Sequence, residues 1–212
     1  VARMPLGEVE VEEEMSHAAA DVIFRTLFSI PIEHEVAAAV FAEFRNYQRS
    51  QPILNLAAFL PLPSWFPRFH RRATKRSATL IRGLITRLTT SRAAAIAAGT
   101  APDDLATKIM VTADPLTGRR FDTEEMVDQV AIFFLAGHET SASALAWALL
   151  MLAMYPDVQE KLAAEAATLP EEPDFAVVGK LRYARDVFRE VLRLYPPVPM
   201  MVRENRCPED MR

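Results

Sequence analysis

From Ala131 to Met154 apolar residues occupy nearly every helical face. The run is broken at its centre by Gly137, His138, Glu139, Thr140 and Ser141. A helix apolar all round is normally buried in a large core. Asp122 stands three residues before Glu125, the spacing of a capping box, and marks the start. Pro156 marks the end. The pattern therefore predicts one helix over Asp122–Tyr155, about 50 Å long. Elsewhere prolines divide the chain, and apolar positions between them recur at helical spacing. Further helices are predicted over Glu12–Ser29, Glu33–Arg49, Arg68–Ala98, Asp103–Ala113, Asp157–Thr168 and Lys180–Tyr195, with Gly99 a terminator of the third. The last has an apolar stripe of Leu181, Ala184, Val187, Phe188, Val191 and Leu194; Arg182, Asp186, Arg189, Glu190 and Arg193 lie opposite. Strand signals are confined to Glu8–Val11 and Pro199–Arg203. The expected fold is mainly α: one domain over residues 1–212, a helical core around Asp122–Tyr155.

The segment Gln51–Arg72 joins the second and third helices through a cluster of prolines from Pro52 to Pro67. It reads as a connection packed on the core, or as a flap over an apolar pocket. The basic stretch Arg68 to Ser77 reads as a solvated helix face, with a surface for an anionic partner as the alternative.

Composition narrows the classes. Half of the 212 residues are apolar, a quarter are charged, and the net charge is −4, which argues against a nucleic-acid binder. Fifteen prolines against six glycines fit punctuated helices better than a turn-rich β fold. The one cysteine, Cys207, excludes an internal disulfide framework and suits a reducing compartment. With no secretory signal and no uninterrupted apolar span, a cytoplasmic location is expected. The chain begins at Val1 and reads as a piece of a longer protein. His17, His34, His70 and His138 lack metal-ligand spacing, so no metal site is expected from them, and glycine-rich phosphate loops are missing.

The polar centre of the long helix carries the candidate chemistry. Ala136 and Gly137 remove side-chain bulk, so a flat group can approach the backbone. Thr140, four residues on, can compete for the Ala136 carbonyl. Glu139 can exchange protons there. Ile132, Leu135, Ala136 and Thr140 recur at helical spacing, like a pocket wall with one hydroxyl. A packing explanation stands beside this one: Gly137 and Thr140 fitting a neighbouring helix, Glu139 in solvent, and His138 on another face as a packing or surface residue. Downstream, Glu190 and Arg193 are three residues apart and can pair. Periodicity puts that pair on the exposed face.

Together, Ala136-Gly137-His138-Glu139-Thr140 in a long apolar helix, then Glu190-x-x-Arg193 about 50 residues later, then Leu194-Tyr195-Pro196-Pro197-Val198-Pro199 resemble the haem-thiolate monooxygenases, the cytochrome P-450 family. The resemblance covers most of the chain and implies a partial cytochrome P-450 fold. It implies that Thr140 holds dioxygen and a proton-delivering water, with Glu139 as the neighbouring acid. Ala136 and Gly137 would face the haem, and Ile132 and Leu135 would touch substrate. Glu190 and Arg193 would form a structural ion pair, buried by a network that a later arginine completes. Arg203 would hold a haem propionate, with Arg206 the runner-up, and Val198–Met201 would help line the pocket. Pro52–Pro67 would fall at the access lid. The implied activity of the full-length parent is insertion of one oxygen atom from dioxygen into a lipophilic substrate such as a fatty acid. Haem would be the cofactor, and a reductase or ferredoxin would donate electrons.

The resemblance stops short of the family's thiolate loop, F-x-x-G-x-x-x-C-x-G, which this sequence lacks. Cys207 comes 14 residues after Arg193, in Arg-Cys-Pro-Glu with no glycine nearby. The alternative is therefore a truncated, haem-free helical protein without catalytic activity, self-associating through exposed apolar surface.

Overall fold

The computed structural model describes residues 8–50, 72–171 and 173–200. Among the described residues eight helices follow in order: α1 Val11–Phe28, α2 Glu35–Ser50, α3 Arg72–Ala97, α4 Leu105–Val111, α5 Thr123–Met154, α6 Pro156–Ala166, α7 Phe175–Val178 and α8 Arg182–Leu194. No strand occurs among the described residues. The strand expected over Glu8–Val11 is not formed, because Val11 opens α1 and Glu12, Glu13 and Glu14 fill its first turn. Acidic side chains are favoured there by the partial positive charge of exposed amides. Of the second expected strand, Pro199 and Met200 have no regular structure, and Met201–Arg203 lie outside the described residues, as does the Pro52–Pro67 segment.

Local chemistry explains the element ends. Gly99 (φ +70°) terminates α3 in the left-handed conformation that glycine adopts without strain. Asp122 and Glu125 cap α5 reciprocally: the Glu125 amide donates to Asp122 at 2.9 Å, and the Asp122 amide to Glu125 at 3.0 Å. Arg119 clamps the Glu125 carboxylate with two bonds of 2.8 and 2.6 Å. That guanidinium and the Asp122 amide hold Glu125 below the usual carboxylate range. Pro156 ends α5 and occupies the first turn of α6, where its missing N–H costs nothing.

By contacts the chain divides into two compact units, His17–His138 and Val1–Ser16 with Glu139–Arg212. In the first, α2 packs on α3. The core gathers Phe24, Phe28, Val40, Phe44, Ile85, Met126, Val130 and Phe134, all nearly inaccessible. Beside it sits a buried polar knot. Arg92 of α3 pairs with Asp104 at 2.7 Å and also donates to the Phe28 carbonyl at 2.7 Å. Asp104 accepts from Ser29 at 3.0 Å and caps α4 through the Thr107 amide at 3.0 Å. The knot ties the end of α1, the end of α3 and the start of α4. Nearby, Asp21 accepts from the Ile32 amide at 2.9 Å and from Arg25 at 2.8 Å.

In the other unit α6 packs against α8. Glu165 of α6 caps α8 from outside: one carboxylate oxygen accepts the Tyr183 amide at 2.9 Å, the other the Ala184 amide at 2.8 Å. Those two amides hold Glu165 below the usual carboxylate range. The rings of Trp147 and Tyr195 stack at 4.0 Å, only 5° from parallel.

The expectation that α5 is buried all round is corrected. Met126, Val127, Val130, Phe134 and His138 are buried, whereas Ile132, Phe133, Leu135, Leu145, Leu150 and Met154 are exposed. Composition alone gives an evenly apolar helix no preferred face; within His17–His138, the neighbouring helices cover one side of it. No single described helix is long and apolar enough to cross a membrane, although α5 and α6, bent by 114° at their junction, pass that test of length and composition together.

Candidate functional site

α5 is continuous α-helix through the Ala136–Thr140 segment. Ile132 (58% exposed), Leu135 (40%), Ala136 and Glu139 are all exposed, and their spacing puts them on one face of the helix. Thr140 is half-buried. This face carries two branched apolar side chains, one methyl and one carboxylate.

Gly137 is turned away from that face. A Cβ built on it would lie 2.8 Å from Cδ1 of Ile23 on α1. The missing side chain is thus what lets α1 approach α5 at this level. Of the two explanations open for this glycine, close packing against a neighbouring helix has a direct structural basis. His138 is 1% exposed, which settles it as a packing residue. Its ring stacks on Phe134 at 4.7 Å and meets Phe41 and Phe44 edge-on. Its Nδ1 lies 3.2 Å from the Phe134 carbonyl. Gly137 and His138 therefore fix the rotational phase of this part of α5 from its buried side.

Ile132 and Leu135 also border a shallow groove of about 320 Å³ within the His17–His138 unit. Phe44 of α2, Ile81 of α3 and Val127 of α5 supply its other apolar walls; Tyr47 and Arg82 add a phenol and a guanidinium. Arg82 donates to Asp128 at 2.6 Å and to Glu124 at 3.2 Å. Tyr47 and Arg82 had not stood out in the sequence. Tyr47 follows Phe44 by three residues and so extends the apolar stripe of α2, which was the available signal. Arg82 gave none, because its partners lie more than 40 residues away.

Glu190 and Arg193 do meet. Arg193 donates twice to the Glu190 carboxylate, at 2.8 and 2.7 Å, in a two-pronged pair. Arg193 holds the carboxyl below its usual range, and Glu190 raises the guanidinium in turn. The side chains are 56% and 66% exposed among the described residues, on the solvent side of α8 as its periodicity indicates. A second groove, of about 640 Å³, runs beside them between the end of α5, α6 and α8, with Met151, Tyr155, Val187 and Val191 in its lining. Arg203, Arg206, Cys207 and Met201 lie outside the described residues; Val198 and Met200 are exposed. Among the described residues no group of three or more His, Cys, Asp or Glu side chains could hold a metal ion.

Comparison with known proteins identifies the family. The cytochrome P-450 family model matches residues 3–212. Cyclooctat-9-en-7-ol 5-monooxygenase of Streptomyces melanosporofaciens is 31% identical over 210 residues, which cover 94% of this chain and 43% of that protein. Cytochrome P-450 72A15 of Arabidopsis thaliana is 28% identical, over 92% of this chain and 39% of its own length. A crystal structure of a cytochrome P-450, CYP102L1, superposes with a TM-score of 0.64 at 29% identity, covering 89% of this chain and 43% of that one. The chain thus spans less than half the length of these relatives, and it belongs to the cytochrome P-450 family.

Proposed function

We propose that this chain is the central part of a haem-dependent monooxygenase that inserts one oxygen atom from dioxygen into a lipophilic substrate. The observation that carries the reading is the exposed face of α5: Ile132, Leu135 and Ala136, followed by Glu139 and the half-buried Thr140. That face fits a flat, largely apolar group. Ala136 presents only a methyl, and its neighbours at helical spacing are apolar. Haem supplies the oxygen-activating redox chemistry when bound.

The chain's own residues then have separable tasks. Ala136 sets how closely the cofactor approaches the helix. Ile132 and Leu135 offer apolar contacts to substrate and help keep water out. Glu139, exposed at the same face, exchanges protons with solvent, and the Thr140 hydroxyl holds a proton or a water at the helix surface. Gly137 serves the site from behind, by letting Ile23 seat α1 against α5, while its backbone lies beside the cofactor face. Glu190 and Arg193 are a structural pair rather than catalytic groups. Arg203 is assigned to a haem propionate. Fatty acids are one candidate substrate class, and a reductase or ferredoxin is the expected electron donor.

The test is the absorption spectrum of the reduced, carbon-monoxide-bound full-length protein. A thiolate-type Soret band is the expected result. A full-length protein that folds yet takes up no haem defeats the reading.

A further inference from the structure

The shallow groove bordered by Ile132 and Leu135 has one cation on its described lining, Arg82, and that cation is already engaged. Asp128 takes one end of its guanidinium at 2.6 Å and Glu124 the other at 3.2 Å. One positive and two negative charges leave a net −1 at this edge. The remaining lining is apolar apart from Tyr47, whose phenol can hydrogen-bond to an uncharged polar group. We propose that this groove selects uncharged lipophilic substrates, such as alcohols, over carboxylates, which ranks ionised fatty acids below the corresponding alcohols among the candidate substrates, and that Glu124 and Asp128 set the preference by occupying Arg82.

The inference rests on the monooxygenase reading for its substrate, but the charge argument is independent of haem. An ionised carboxylate laid along Phe44, Ile81 and Leu135 loses hydration and meets no open cation on the described lining. An alcohol of the same length gains the same apolar contact and satisfies its hydroxyl at Tyr47. The three charged side chains are partly exposed, 49% for Arg82, 55% for Asp128 and 84% for Glu124. Their influence is therefore screened, strongest at low salt and weaker at high salt. Freeing Arg82 should turn a repelling edge into an attracting one.

The experiment compares decanol with decanoate by calorimetric titration of the full-length protein at about pH 8, where the acid is ionised. Decanol is expected to bind at least tenfold more tightly. In the double variant Glu124→Gln/Asp128→Asn the gap should shrink by threefold or more at low salt and by less at high salt. Both substitutions are on exposed side chains, and circular dichroism verifies that the variant is folded. Arg82→Met should leave decanol binding within twofold and weaken decanoate no further than threefold. The proposal is overturned by equal binding of the two probes, by a tenfold loss of decanoate binding in Arg82→Met, by an unchanged gap in the double variant, or by binding of neither probe. Failure of the monooxygenase reading shows separately, as a missing thiolate-haem spectrum, and leaves the calorimetric comparison to decide the charge preference.

Discussion

A methyl group added to Gly137 would meet the tip of Ile23 at 2.8 Å, and this distance makes a graded prediction. Alanine improves helix propensity over glycine by about 1 kcal/mol, but overpacking costs about 1–3 kcal/mol. Gly137→Ala should therefore be neutral to destabilising by about 2 kcal/mol in denaturant unfolding. Ile23→Val removes the clashing Cδ1, so Gly137→Ala should be at least about 1 kcal/mol less harmful in that background. Additive effects would show that α1 and α5 do not meet here. Thr140 calls for a different measurement. On the proposed function, Thr140→Ala in the full-length protein should retain haem yet divert reducing equivalents to peroxide, seen as peroxide formed per equivalent of reductant consumed. Fully coupled turnover in that variant would remove the role given to the hydroxyl. Asp104, 6% exposed, carries three partners at once. Asp104→Ala strands the buried Arg92 guanidinium and should cost about 3–5 kcal/mol in unfolding free energy.

At the scale of elements, α8 depends on a residue outside it. Glu165 accepts two amides at the α8 start and has its carboxyl lowered by them. Because the folded-state value is depressed, the stabilisation is fully present above the ordinary glutamate range, about pH 4.3, and fades as pH falls through the folded value. Urea midpoints recorded from about pH 6 to about pH 3 should fall less steeply in Glu165→Gln than in the parent chain. Identical acid limbs would mean that the cap contributes nothing. Such tertiary caps explain which elements were legible in the sequence. α1, α3, α5 and α8 were readable because their signals are local: a glutamate-rich first turn, Gly99, the Asp122–Glu125 box and Pro156, and a regular apolar stripe. α7 was missed because four residues are too few for a period to develop. Glu165 on α8 and Arg92 on Asp104 left no trace, since partners 12 to 19 residues apart on different helices share no spacing rule. The covered side of α5 was equally hidden: an evenly apolar helix does not encode which side its neighbours occupy. The Ala136–Thr140 segment was visible as chemistry, but the contact between Gly137 and Ile23 could be seen only once α1 was in place.

For the molecule as a whole, the structural role proposed for the Glu190–Arg193 pair makes different predictions for this chain and for the longer protein. With both side chains more than half exposed, Glu190→Ala should leave the unfolding midpoint of this chain unchanged. In full-length protein the same change is expected to reduce haem loading, measured as haem absorbance per polypeptide. Equal haem content would show that the pair stays a surface feature there too. The Trp147–Tyr195 stack has a consequence of another kind. Two nearly parallel rings at 4.0 Å couple their electronic transitions. The near-ultraviolet circular dichroism of this protein should therefore contain a coupled signal from the ring pair joining the last turns of α5 to the end of α8. The protein carries its own optical gauge of whether the segment after the Glu190–Arg193 helix is docked.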